Sequence, residues 1–450
     1  MLKGKILDVT NVVSFDNTIL RVDIGDQQLA DGNKIPLPPI LLAQLGKDPK
    51  KKTVLIYGHL DVQPALVEDG WSTDPFKLIE KDDKLWGRGS TDDKGPVIGW
   101  INAIEAYQKT GADIPVNIKL CLEGMEESGS VKLEETVRGR TDFFATNVDW
   151  VCISDNYFLG QTKPCLTYGL RGCAYFNIEV QGAHQDLHSG VFGGSVPEAM
   201  VELSHIFASL ISAEGQIQIE GLSDQVLPVT DDEKEMYKNI DFELERYRGE
   251  VGCGRLLSDD KTDLLMRRWR YPSLSIHGVQ GAFAEPGEKT VIPAKVIGKF
   301  SIRLVPAMTP DHVEKVVVDH VMKVHEKLNT KNQVKCFLGK GPSVPWVTNP
   351  KNENFQAAVN AIKKVRGVEP DLTREGCSIP GLNLVPYSLS SSIFFSVTLV
   401  FEEVTGKNVL LLPMGSCDDG AHSQNEKLNI VNYMEGTKVF AEYLNELGKL

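Results

Sequence analysis

Two apolar runs that each end in acids, with a helical stretch between them, constrain the fold of this chain more than anything else in it. TVLIYGHLD (53 to 61) and VNIKLCLEGMEE (116 to 127) read as buried parallel strands followed by acidic or glycine-rich ends. Between them, KGPVIGWINAIEAYQKTG spaces Val97, Ile98, Ile101, Ala103 and Ile104 to suit a helix that ends at Gly111. Strand, helix, strand predicts an α/β domain on a mostly parallel sheet flanked by helices, and DWVCISDN (149 to 156) adds a further strand. In such sheets, ligand-binding groups gather beyond the carboxyl ends of the strands. His59, Asp61, Glu126, Glu127 and Asp155 all fall there.

From Ala174 the texture changes. AYFNIEVQG alternates as a half-buried strand, and PEAMVELSHIFASLI reads as an amphipathic helix with Pro197 near its first turn. KVIGKFSIRLVP alternates again, and TPDHVEKVVVDHVMKVHEKLN opens with Thr309 as N-cap and Pro310 at the first helical position. These predict a second α/β domain inserted into the first. After Trp346 a helix (NENFQAAVNAIKKVRG), a strand (NVLLLP) and a helix around YMEGTKVFAEYLNEL resume the first domain.

The chemistry-bearing residues remain ambiguous one by one. His59 and Asp61 can share a face at a strand end, as an oriented ligand or as a histidine satisfied by a neighbouring acid. GRGSTDDKG (87 to 95) sets glycines around Asp92 and Asp93; the acids would repel a phosphate, so the loop suits a cation or caps the helix that follows. Glu126 and Glu127 point to opposite sides of an extended backbone and can hold different roles. Asp155 is a ligand or a solvated loop acid, and His422 lies in a polar loop, DDGAHSQNE. Together, carboxylates and imidazoles without a thiolate suit zinc or manganese, and a bridging acid would set two ions about 3.5 to 4 Å apart.

Charge and cysteines narrow the partners. A net charge of -13 disfavours nucleic acid and anionic membranes, leaving a small-molecule or peptide substrate. Eight cysteines without a C-x-x-C pair read as reduced thiols, and MLKGKILDVTNVV makes a poor signal peptide, so a cytoplasmic protein is expected. Gly376 to Phe401 carries no charge and approaches the length of a membrane span, but Pro380, Pro386, Asn383 and five serines in its core argue against one.

YGHLDVQPA, GRGSTDDKG, EGMEESGS, CISDNY, DLHSGVFGGS and GAHSQNEK, in this order, resemble the carnosinase and aminoacylase dinuclear metallopeptidases, and the likeness runs from about Asp23 to the C-terminus. The resemblance implies hydrolysis of dipeptides at two divalent ions, zinc or manganese. Asp92 would bridge them, His59 and Asp155 completing one site and Glu127 and His422 the other. Asp61 would hold His59, and Glu126 would be the general base. Residues 168–341 would form a lid and dimerisation domain between catalytic segments 1–167 and 342–450. Thr290, Ser378 and Arg303 would bind substrate; Arg303 lies on the strand face opposite Phe300, Ile302 and Leu304, where an exposed arginine is the alternative. His188 would reach into the partner subunit's site in a homodimer. Other activities in the family, aminoacylase or carboxypeptidase, and a disabled binding relative are the competing expectations. Two departures from the family pattern stand out: a short N-terminal segment, and an apolar insertion at 381–396 that interrupts a passage expected to run as strand into VTLVFEE.

Overall fold

The computed structural model describes residues 19–29, 32–339, 341–376 and 396–450. Ser378, residues 381–395 of the insertion and most of the short N-terminal segment lie outside them. The first part of the chain supplies strands β1 (Ile19–Val22), β2 (Ile40–Leu45), β3 (Thr53–His59), β4 (Asn117–Glu123), β5 (Trp150–Ile153) and β6 (Cys165–Leu170). Helix α1 (Lys94–Thr110) links β3 to β4 and ends at Gly111, whose φ of 69° is the left-handed cap that its position predicts. Every residue of β3 is buried, as an unbroken apolar strand inside a two-faced sheet requires.

The chain then enters a second sheet. It comprises β7 (Gly172–Gln181), β8 (Ser273–Gln280), β9 (Lys295–Leu304) and β10 (Gln333–Leu338), ordered β8-β9-β7-β10 and antiparallel throughout. Its buried face, including Phe176, Ile178, Phe300 and Ile302, packs on Leu203 and Ile206 of helix α2 (Ala199–Leu210) and on Val313, Val317 and Val321 of helix α6 (Pro310–Leu328). Thr309 takes the N-cap position of α6, but its side chain makes no capping bond there; its N–H donates instead to Gln225 Oε1 at 2.9 Å. Between α2 and β8, helices α3 (Asp231–Asn239), α4 (Leu244–Val251) and α5 (Lys261–Trp269) form an arm with a small core around Tyr237, Leu265 and Trp269. Glu233 of this arm accepts from Arg270 Nε at 2.9 Å and from Arg374 Nη2 at 2.7 Å.

The last part returns to the first sheet with α7 (Glu353–Arg366), β11 (Asp371–Glu375), α8 (Val397–Thr405), β12 (Val409–Leu411) and α9 (Ile430–Leu447). The strand order is β1-β2-β4-β3-β5-β12-β6, with Trp346–Val347 and β11 both paired to β6. The four central strands β4, β3, β5 and β12 run parallel, and antiparallel pairs flank them on both sides. One face packs on α1, α7 and α9, where Trp100 stacks on Phe440 with ring centroids 4.1 Å apart. The passage VTLVFEE corrects the sequence reading, since it is helix α8 and not a strand. Ser396 Oγ caps it by accepting from Leu399 N at 3.4 Å. Val397, Val400 and Phe401 then fall at helical spacing and bury against the other sheet face, so the packing period overrides the β-branched composition. No helix among the described residues is long and apolar enough to cross a membrane.

Candidate metal centre

The parallel strands stop together, with His59 of β3 opposite Glu123 of β4 and Tyr57 opposite Ile153 of β5. The turns past these ends carry Asp61, Glu126, Glu127 and Asp155, and the loop before α1 brings Asp92 and Asp93 over them. His59 is fully buried, and its Nε2 lies 3.0 Å from Asp92 Oδ1 and 3.6 Å from Asp155 Oδ1. The other oxygen of Asp92 meets His422 Nε2 at 3.1 Å, and the same nitrogen lies 3.1 Å from Glu127 Oε2. Two overlapping groups of donors result: His59, Asp92 and Asp155, and Asp92, Glu127 and His422. Asp92 belongs to both.

Neighbouring groups hold this set in place. Asp61 Oδ1 lies 3.4 Å from His59 Nδ1, and the Asp61 carboxylate accepts from the N–H groups of Glu126 at 3.2 Å and Glu127 at 2.9 Å. Gln63 donates to Glu127 from its backbone at 3.1 Å and from its side chain at 2.8 Å. The His59 N–H donates to Asp93 Oδ2 at 3.1 Å.

Carboxylates outnumber imidazoles here, and the electrostatics record it. Burial opposes a charge on His59, yet Asp155, Asp61 and Asp92 outweigh it and hold its pKa well above the ordinary imidazole value. Hydrogen bonds to Asp92 and Glu127 raise His422 to about 10. Burial would raise Asp92, but His422 and His59 hold it far below the ordinary carboxylate range. Glu126 goes the other way: burial first, then repulsion from Asp155, pushes it well up. An excess of buried, mutually repelling oxygen donors around two imidazoles fits divalent cations, which would relieve the repulsion that the imidazolium charges offset only in part.

Sequence reasoning passed over two carboxylates. Glu426 accepts from Arg88 Nη1 at 2.7 Å and from the N–H groups of Gly89, Thr91 and Asp92 at 3.0 to 3.1 Å. Glu123 accepts from Tyr57 Oη at 2.6 Å and Ser130 Oγ at 2.8 Å. Both stand inside motifs quoted above, GAHSQNEK and EGMEESGS, but nothing in an isolated acid tells a backbone-binding carboxylate from a solvated one.

The second sheet's candidates lie apart from this cluster. His188 is exposed, accepts from Gly190 N at 3.0 Å through Nδ1, and pairs with Val291 beside Thr290. Arg303 is half-buried on β9, on the face opposite its buried neighbours Ile302 and Leu304. Among the described residues, no hydrogen bond or ion pair joins His188, Thr290 or Arg303 to the donor cluster.

Residues 55–446 match peptidase family M20/M25/M40. The chain is 50% identical over 428 residues to the Beta-Ala-His dipeptidase of Mus musculus, spanning 95% of this chain and 84% of that protein. It is 48% identical over 455 residues to the Cys-Gly metallodipeptidase dug1 of Schizosaccharomyces pombe, spanning 100% of this chain and 92% of that protein. The crystal structure of human carnosine dipeptidase 1 matches with a TM-score of 0.83 at 46% identity, covering 99% of this chain and 90% of that one. On the profile match, these identities and the shared fold, the chain belongs to peptidase family M20/M25/M40.

Proposed function

We propose that this chain is a dipeptidase that works with two divalent ions, zinc or manganese. The observation that carries the reading is Asp92, whose two oxygens face two histidines in two overlapping donor groups. His59 and Asp155 would complete one ion's ligands, and Glu127 and His422 the other's. When bound, such ions polarise a scissile carbonyl and lower the pKa of water toward about 7.

The chain's own residues divide the remaining work. Asp61 orients His59 and fixes the turn that carries Glu126. Glu126, buried and without a hydrogen bond to its carboxylate among the described residues, is free to act as general base. It takes a proton from the attacking water as the water oxygen bonds the carbonyl carbon, and delivers that proton to the amine nitrogen as the C–N bond breaks. Arg303, Thr290 and Ser378 are assigned to the substrate, with the guanidinium on its carboxylate. His188 is assigned to the partner subunit's site in a homodimer held by the lid, here residues 168–341 between catalytic segments 1–167 and 342–450. A cytoplasmic site of action agrees with the described cysteines, all of them free thiols.

The test is hydrolysis of a dipeptide panel by metal-stripped protein, reloaded with zinc or manganese, beside Glu126→Gln. Metal-restored cleavage should fall by ~10²-fold or more in the variant, the scale of a lost general base. Cleavage that survives stripping, or a variant as active as its parent, would sink the reading. A monomeric interface variant with full turnover would remove His188 from the mechanism.

A further inference from the structure

We infer that Glu426 is a positioning residue: it sets the place of Asp92, and through Asp92 the fit of both donor groups to their ions. The inference rests on the metal-centre reading and deepens it. A carboxylate that serves two ions must present its oxygens in two fixed directions, and the side chain of Asp92 can be no better placed than the loop that bears it. That loop, Arg88 to Asp92, closes around one buried carboxylate. Glu426 Oε1 accepts from Thr91 N at 3.0 Å and Asp92 N at 3.1 Å, while Oε2 accepts from Gly89 N at 3.0 Å and Arg88 Nη1 at 2.7 Å. Converging backbone N–H groups of this kind ordinarily make a concavity for an anion, and here the chain supplies the anion itself.

Glu426 is fully buried, and the Arg88 side chain is 4% exposed, so the pair is shielded from water. The same residue ties the loop a second way, its carbonyl accepting from Gly87 N at 2.9 Å. Glu426 lies four residues after His422, whose φ of 61° marks a tightly specified turn. Nearby, Asp419 accepts from Thr91 Oγ1 at 2.9 Å and from Lys427 Nζ at 2.6 Å, bracing the His422 loop against the Asp92 loop. One side chain therefore refers both loops to each other, although Asp92 and Glu426 stand 334 positions apart.

The experiment measures metal affinity by competition with a chromogenic chelator, without substrate, in Glu426→Gln, Glu426→Asp and the control Glu202→Gln. Glu202 is an equally buried carboxylate in the second sheet's domain, accepting from His325, Thr330 and Asn332, so its loss tests generic destabilisation. Gln cannot accept from all four donors, and Asp keeps the charge but not the reach. Both Glu426 variants should bind metal 10- to 100-fold more weakly, the scale found when groups supporting a ligand are removed. Glu202→Gln should bind as its parent does.

Full affinity in Glu426→Asp would reduce the residue to a charge and overturn the positioning role; so would equal losses in Glu202→Gln. Should the Glu426 variants fail to fold, hydrogen exchange in the metal-stripped parent decides. Amides of residues 89–92 should exchange as slowly as those of β3, and fast exchange would overturn the inference. A parent that binds no metal would overturn the metal-centre reading, and this inference with it.

Discussion

Glu123 lies beneath the donor cluster with two donors on one oxygen, and burial still pushes its pKa from 4.5 up to about 7. Between those values the folded protein keeps a proton that the unfolded chain has released. The stability it lends is complete below 4.5 and lost as pH rises through 7, on the order of 3 kcal/mol in all. Urea midpoints of metal-stripped protein should therefore match those of Glu123→Gln, which mimics the protonated acid, at pH 4.5 and fall below them at pH 6 and 8; a difference that stays flat would refute the raised value. Asp61→Ala should act on rate instead. It strips two backbone N–H groups of their acceptor and frees His59, for a loss of about 10- to 100-fold in kcat, measured by steady-state kinetics. Asp61, Asp155 and the Glu126–Glu127 pair were legible because acids that end apolar strands gather at one sheet edge. Glu426 was not, since its donors stand up to 338 positions away and its neighbours in sequence are as polar as any surface loop.

In the first turn of α1 the backbone passes so close to the preceding loop that Gly95 admits no side chain. A Cβ there would stand 2.0 Å from Ser90 O and 2.9 Å from Leu428 Cδ2. Alanine would improve helix propensity by about 1 kcal/mol, but the nearer obstacle is backbone and cannot swing aside. The clash wins, and Gly95→Ala should cost a net 1 to 2 kcal/mol, roughly, by thermal unfolding, and weaken metal binding as the Asp92 loop shifts. Elements of this kind read well from sequence: apolar-rich runs became β3, β4 and β5, and glycine after a helical period ended α1. VTLVFEE did not, because Val and Thr carry a β preference that cannot outvote a capping serine and a face waiting to be covered.

Across the whole molecule, the arm α3–α5 is fastened to the first sheet through Glu233, which serves Arg270 on its own side and Arg374 on β11. Glu233→Ala would leave two buried arginines without their shared carboxylate, and should lower stability by about 3 to 5 kcal/mol in urea unfolding. Replacing all three with apolar residues of similar volume should recover most of the loss. No local pattern announces such a link, since each partner is an ordinary charged residue until the fold brings them together. The sheet itself holds a further consequence. Strand β12 lies between β5 and β6, yet it is made long after both. At translation rates of ~5 to 20 residues per second, the nascent chain waits on the order of tens of seconds with an open slot in its main sheet, two strand edges bare and His422 not yet synthesised. For that interval the Asp92, Glu127 and His422 donor group lacks a member, while the bare strand edges are open to pairing with other chains.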